Sequence, residues 1–332
     1  MEDKDKQEAE VNSPLREKES ALMDKIEAIK AESAKKLIGQ TELIEMILAA
    51  LFCEGHILIE GVPGLAKTFA AKLLTKVIDL KYSRIQFTPD LMPSDIIGTT
   101  VFNSKSREFE FKKGPIFSNL VLIDEVNRAP AKTQSALFEA MEERQITADG
   151  ITYQLPQPFL VLATQNPLEH EGTYKLPEAQ LDRFLFKVSV NYPQVDQEVE
   201  ILKAASDRTL FNDLSTVKKV LSIEEIQLFK SQINAVKSDV KLLRYIAQLS
   251  EMTRGSQQLF LGASPRASIG ILAGAKAIAA FQGRDFISPE DIQQVLIPVL
   301  NHRLILTPEK EIEGVTIEQI IKEIIQQIEV PR

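Results

Sequence analysis

The apolar positions fall into two regimes along the chain. From His56 to Val190 short, nearly continuous apolar runs alternate with helix-like stretches: His56–Glu60, Ser83–Phe87, Leu120–Ile123, Phe159–Ala163 and Phe184–Val190 read as strands, and Thr68–Ile78 as the first intervening helix. Unbroken runs such as Leu120-Val121-Leu122-Ile123 suit strands covered on both faces, and strands alternating with helices predict a parallel sheet flanked by helices, an α/β fold. After Tyr192-Pro193 the strand pattern stops. Helical spacing then predicts helices over Val195–Ala205, Ile223–Lys230, Val240–Met252, Arg266–Phe281, Pro289–Val299 and Ile317–Ile328. Ser288-Pro289-Glu290-Asp291 reads as a capped helix start. Two further helices precede the first strand, over Ser20–Glu32, where Leu22, Ile26 and Ile29 recur at helical spacing, and over Glu42–Phe52. The expected organisation is a charged tail over 1–19, an α/β core over 20–193 and an all-α domain over 194–332.

Composition narrows the function classes. The 332 residues are 44% hydrophobic, enough for a real core, and the formal charge of -8 gives no global attraction to nucleic acid or anionic lipid. The N-terminus is rich in Glu, Asp and Lys and has no apolar core of a secretory signal. The Met46–Phe52 run is too short to span a bilayer, and Gly270–Phe281 is interrupted by Lys276. A cytoplasmic protein is expected. The single cysteine, Cys53, ends an apolar run and reads as a buried small residue. His56, His170 and His302 are far apart and lack metal-ligand spacing.

The chemistry starts at Gly61-Val62-Pro63-Gly64-Leu65-Ala66-Lys67-Thr68, between a strand and a helix. In that context loop amides and the helix N-terminus cradle phosphates, Lys67 meets the β/γ-phosphates and the Thr68 hydroxyl ligates Mg2+. Ala66 stands where the pattern usually has Gly, which alanine accommodates if its φ is negative. Taken alone, the segment could be a Gly/Pro turn with an incidental Lys-Thr pair. The strand Leu120–Ile123 ends in Asp124-Glu125, placing two carboxylates at the sheet edge where ligands of such folds bind. Asp124 would hold Mg2+, and Glu125 would act as general base on the attacking water. Asn166, at the end of another buried strand, could orient that water, or simply form a turn before Pro167. Arg183 ends a short helix and in isolation reads as a surface ion pair. Arg266 follows Ser264-Pro265 at a helix start, where a cation opposes the macrodipole, which suggests an external anion such as phosphate.

Gly61–Thr68, Asp124-Glu125-Val126-Asn127-Arg128-Ala129-Pro130, Ala163-Thr164-Gln165-Asn166-Pro167, Leu181-Asp182-Arg183-Phe184 and Ser264-Pro265-Arg266 together resemble the MoxR group of AAA+ ATPases, from about Ile38 to the C-terminus. The resemblance implies Walker A, Walker B, sensor 1, arginine-finger and sensor 2 elements in that order. Ala66 matches the group's own loop, Phe69 continues it, and Ile38-Gly39-Gln40 resembles the element beside the adenine. It further implies ATP/ADP with Mg2+, a helical lid, ring oligomers that are usually hexamers, and remodelling of an unknown protein client with von Willebrand A domain partners, reaching a membrane only through a partner. Two pore-side insertions are implied as well: Thr99–Phe102 with Arg107–Phe111, and Ile146–Ala148 with Ile151–Tyr153 around the turn signal Asp149-Gly150. A nucleic-acid motor is the first alternative, kept open by Lys105 and Arg107 but disfavoured by the acidic Asp149 tip; a non-catalytic nucleotide-binding scaffold is the second. A sigma-54-type activator is disfavoured by the lack of its Gly-Ala-Phe-Thr-Gly-Ala loop.

Overall fold

The computed structural model describes residues 21–62, 64–167, 174, 176–206 and 213–331, so Pro63, His170 and the tail expected over 1–19 lie outside the described residues. The chain divides into two compact units, Ser33–Lys219 and, with the helix over 21–32, Val220–Arg332.

The Ser33–Lys219 unit is built on five parallel strands, β1 (Ile57–Glu60), β2 (Tyr82–Gln86), β5 (Leu120–Asp124), β8 (Leu160–Gln165) and β9 (Phe186–Ser189), in the order β2-β5-β8-β1-β9. Ile57, Leu58, Ile59, Val121, Leu122, Val161 and Leu162 are all fully enclosed. That is why these strands lack polar alternation: helices α2 (Thr41–Phe52), α3 (Lys67–Ile78) and α5 (Ala131–Glu143) supply apolar cover. Register sets the functional edge. Glu60 lies beside Gln165, Ile123 beside Ala163 and Gln86 beside Asp124, so β1, β2, β5 and β8 end at one level.

The two insertions form antiparallel hairpins, β3 (Gly98–Asn103) with β4 (Glu108–Lys113) and β6 (Gln145–Ala148) with β7 (Ile151–Gln154). They hold each other: Phe111 stacks on Tyr153 with centroids 4.5 Å apart, and Thr100 Oγ1 donates to the Asp149 carboxylate. Phe102 and Phe109 make an exposed edge-to-face pair near the first tip.

In the Val220–Arg332 unit, α8 (Ile223–Ala235), α9 (Val240–Gly255), α10 (Pro265–Phe281), α11 (Pro289–Leu300) and α13 (Ile317–Gln327) pack around Ile226, Ile246, Ile271, Val295 and Ile320. Ser288 caps α11 reciprocally with Asp291, as its sequence predicts, and Arg284 grips the buried Asp291 carboxylate with bonds of 2.5 and 2.7 Å.

Four expectations are corrected. The boundary falls after Lys219, not near 193, because α7 (Val195–Ser206) lines a cavity of the first unit through Ile201 and Ala204, and Lys219 pairs with Asp79 at 2.6 Å. The helix over 21–32 joins the second unit, not the α/β core: its Lys25 donates to the Val220 carbonyl at 2.7 Å and pairs with Glu225 at 2.8 Å. That unit is not all-α. It carries a small antiparallel pair, β10 (Leu259–Leu261) with β11 (Ile305–Leu306), whose strands are too short to leave an alternation in the sequence. Cys53 is part-buried, although burial of its thiol pushes the pKa up to about 12 and keeps it unreactive.

His56, just before β1, is enclosed and neutral: Nδ1 accepts from Val161 N at 3.0 Å and Nε2 donates to the Met141 carbonyl at 3.1 Å. Burial lowers its pKa to about 4 from 6.5. Between those values the unfolded chain binds a proton that the folded chain refuses, so stability falls as the pH drops from about 6.5 towards 4. At about 1.4 kcal/mol per unit the loss approaches about 3 kcal/mol. Denaturant unfolding at pH 7 and pH 5 is expected to show a smaller pH-dependent loss for His56→Gln than for the parent. Equal losses would remove His56 as the cause.

Candidate nucleotide site

At Gly61 the chain leaves β1 tightly against β9: a Cβ there would lie 2.9 Å from the Val190 carbonyl oxygen, so no larger residue fits without shifting backbone. The Gly61 amide donates to the Gln165 carbonyl at 3.2 Å, tying the loop to the end of β8. Gly64 has φ +91 and Ala66 sits in the left-handed region, φ 57 and ψ 18, as the residue before α3. The negative φ that would accommodate alanine easily is therefore not what Ala66 adopts. Turning the loop into the helix demands the left-handed conformation, and an alanine there costs about 1–2 kcal/mol. Lys67 and Thr68 open α3, where first-turn amides lack helical partners, and Lys67 Nζ donates to the Gly61 carbonyl at 2.5 Å. Val62 leaves β1, and Gly64, Leu65, Ala66, Lys67 and Thr68 form the rim that leads into α3.

Beside this rim is a cavity of about 600 Å3 within the same unit, lined by Leu37, Ile38, Gln40, Leu65, Phe69 and Ile201 among others. Ile38 and Gln40 both line it. Gly39 instead makes the turn between them, at φ +77, with the Gln197 side chain 2.7 Å from where a Cβ would be.

Asp124 and Glu125 end β5 at the same edge. The Asp124 side chain is about 10% exposed and that of Glu125 about 27%. Thr164 sets their arrangement: its Oγ1 accepts from the Glu125 amide at 3.0 Å and donates to Asp124 Oδ1 at 3.3 Å. Arg84 Nε donates to Asp124 Oδ2 at 2.6 Å, and this bond raises the Arg84 pKa further above its ordinary range. Glu125 Oε2 accepts from Gln86 Nε2 at 2.8 Å and from Arg128 Nη1 at 2.8 Å. The Glu125 backbone is left-handed, φ 58, a conformation that a glutamate adopts only when its surroundings impose it. Asn166 follows β8 directly and is buried at the same edge.

The remaining two predicted residues sit on other elements. Arg183, just after α6 (Glu178–Leu181), turns onto α5, donating to the Phe138 carbonyl at 2.9 Å and approaching Glu142 Oε2 at 3.4 Å. Arg266 is the second residue of α10 in the Val220–Arg332 unit, exposed at the helix start. Ser264 precedes that helix, and its hydroxyl makes no capping bond. Arg84 and Gln86 carry no mark in the sequence, and Arg128 and Thr164 stand out there only as members of motifs. The available signal was the position of Arg84 and Gln86 on one face of a strand, without the knowledge that this strand lies beside β5.

Comparison with known proteins agrees with the geometry. Residues 56–186 match the ATPase family associated with various cellular activities, and residues 251–324 match the AAA lid domain. Chaperone MoxR1 of Mycobacterium tuberculosis is 42% identical over 91% of this chain and 81% of its own. The uncharacterized protein YeaC of Bacillus subtilis is 44% identical over 89% of this chain and 91% of its own. A crystal structure of a Cytophaga hutchinsonii protein superposes with a TM-score of 0.89 at 44% identity, covering 97% of this chain and 99% of that one. With an α/β sheet that carries the loop and both acids on one edge, followed by a helical lid, the chain belongs to the MoxR family of AAA+ ATPases.

Proposed function

We propose that this chain binds ATP with Mg2+, hydrolyses it, and uses the cycle to remodel protein complexes. The observation that carries the reading is the convergence of the Gly61–Thr68 rim, Asp124, Glu125 and Asn166 on one sheet edge, next to an apolar cavity of about 600 Å3. In this reading Ile38, Gln40 and Phe69 flank the adenine, with Gly39 as the turn that presents them. Amides of Gly64, Leu65 and Ala66 and of the first turn of α3 would surround the phosphates, and Lys67 would add its charge. Thr68 and Asp124 offer hard oxygen donors of the kind Mg2+ prefers, supplemented by waters and phosphate oxygens. Bound there, Mg2+ would neutralise charge on the β- and γ-phosphates. Glu125 would take the proton of the attacking water and Asn166 would orient that water. Arg183 of a neighbouring copy and Arg266 would add positive charge at the γ-phosphate.

A role for Arg183 in the site of a neighbouring copy goes with a ring assembly, expected to be hexameric. We place it in the cytoplasm, working on a protein client with a von Willebrand A domain partner and reaching a membrane only through that partner. Among the described residues no helix is long and apolar enough to cross a bilayer. The exposed Phe102–Phe109 pair offers apolar contact area to a polypeptide, and the acidic Asp149 at the tip of the other hairpin disfavours tracking of a polyanion.

Lys67→Ala is the direct test of the phosphate loop. Loss of one charge-assisted contact is worth about 1.5–3 kcal/mol, so nucleotide affinity is expected to fall about 10- to 100-fold in a titration. Unchanged binding would break the assignment.

A further inference from the structure

The contact between Arg84 and Asp124 joins a cation of the protein to the carboxylate that the proposed reading reserves for a metal. Strand register explains it. Gln86 lies directly across from Asp124, and Arg84, two residues earlier, projects on the same face, so its guanidinium reaches Asp124 diagonally. Arg84 Nη2 also donates to Gln86 Oε1 at 3.5 Å, and Gln86 passes the connection to Glu125 at 2.8 Å. One cation is therefore wired to both acids of the site.

Mobility is distributed unequally across the pair. β2 is the edge strand of the sheet, and the Arg84 side chain is about 49% exposed whereas that of Asp124 is about 10% exposed. The arginine can swing into solvent with little loss of packing. Asp124 cannot follow, because Thr164 holds its other oxygen and β5 is enclosed between β2 and β8.

From this geometry, and resting on the reading of Asp124 as a Mg2+ ligand, we propose that Arg84 is a positioning residue that competes with the metal. It must release Asp124 for the carboxylate to hold Mg2+, and so it sets the Mg2+ concentration at which the nucleotide site loads. A guanidinium on Oδ2 and a divalent cation on the same carboxylate would be two positive groups a few ångström apart. Even at a water-like dielectric their repulsion corresponds to about a tenfold change in affinity. Gln86 couples the exchange to Glu125, because the departing guanidinium also releases the Gln86 amide oxygen.

The test uses the full chain with a fluorescent ADP analogue, titrated with Mg2+ from excess chelator to millimolar concentration, so that no turnover is involved. Arg84→Met is expected to lower the Mg2+ midpoint about tenfold, with ADP affinity in chelator unchanged. Mn2+ bound in the presence of ADP, read by electron paramagnetic resonance, should tighten by the same factor. Arg84→Gln, neutral but still a donor, should shift in the same direction by less, and it decides the matter if Arg84→Met does not fold. A midpoint that is unchanged or raised in both variants overturns the proposal. If ADP binding by the parent does not respond to Mg2+ at all, the metal assignment of Asp124 fails and the proposal goes with it, while the Lys67→Ala titration still judges the loop separately.

Discussion

Glu125→Gln is expected to bind ATP within about twofold of the parent and to lose about 10²–10⁴ of its turnover, the usual contribution of a positioned general base. The amide preserves the shape and keeps an acceptor for Gln86 and Arg128, but it has no basic oxygen for the proton of water. The structural cost of the change is small. The Arg128–Glu125 pair is part-exposed, with side chains about 39% and 27% exposed, and pairs of that kind contribute at most about 1 kcal/mol. A thousandfold loss corresponds to about 4 kcal/mol, so the two effects separate cleanly if stability and turnover are measured on the same preparation. The backbone of residue 125 stays left-handed either way, because Thr164 Oγ1 holds its amide. Turnover equal to that of the parent would take the base role from Glu125. The same variant, loaded with ATP, should retain its partner in a pull-down. Recovery of a von Willebrand A domain protein is the expected result, and nucleic acid alone would favour the motor reading.

Much of this site is written locally. The loop Gly61–Thr68 and the pair Asp124-Glu125 can be found because each follows an apolar run of β1 or β5 that is continuous for a physical reason: both faces of the sheet are covered. The Asp149-Gly150 hairpin and the Ser288 cap are likewise local chemistry, and both form as their residues dictate. What could not be read depends on adjacency between distant segments. Arg84 and Gln86 are ordinary polar strand residues until the sheet order places β2 beside β5, and Thr164 looks like one more strand threonine until β8 falls on the other side. The left-handed Ala66 was hidden differently. Propensity argues for glycine there, and the demand for a tight entry into α3 outweighs it. The helix over 21–32 shows a clear apolar stripe, but a stripe does not name its partner, and its Lys25 contacts put it with the Val220–Arg332 unit.

Arg183→Ala carries the largest expected effect. In the single chain its guanidinium rests on α5, with the Phe138 carbonyl at 2.9 Å and Glu142 at 3.4 Å, and its side chain is about 32% exposed. If that were its whole role, removal would cost about 1 kcal/mol of stability and leave turnover alone. If Arg183 completes the site of a neighbouring copy, the charge it brings to the γ-phosphate in the transition state is worth about 10³–10⁵ in rate, or about 4–7 kcal/mol. The second outcome is expected: ATP binding retained, hydrolysis in assembled rings reduced by that factor. Arg183→Lys should recover only part of the rate, since an ammonium keeps the charge but loses the planar fork that matches phosphate. Two further measurements separate a role in trans from one within the chain. Parental turnover per subunit should rise with protein concentration as rings assemble. Mixing Arg183→Ala with Glu125→Gln should restore activity, because some interfaces then pair an intact Glu125 with an intact Arg183, provided that a labelled-subunit assay shows exchange. Near-parental turnover by Arg183→Ala at saturating ATP, in rings confirmed by mass, would return Arg183 to a structural contact on α5.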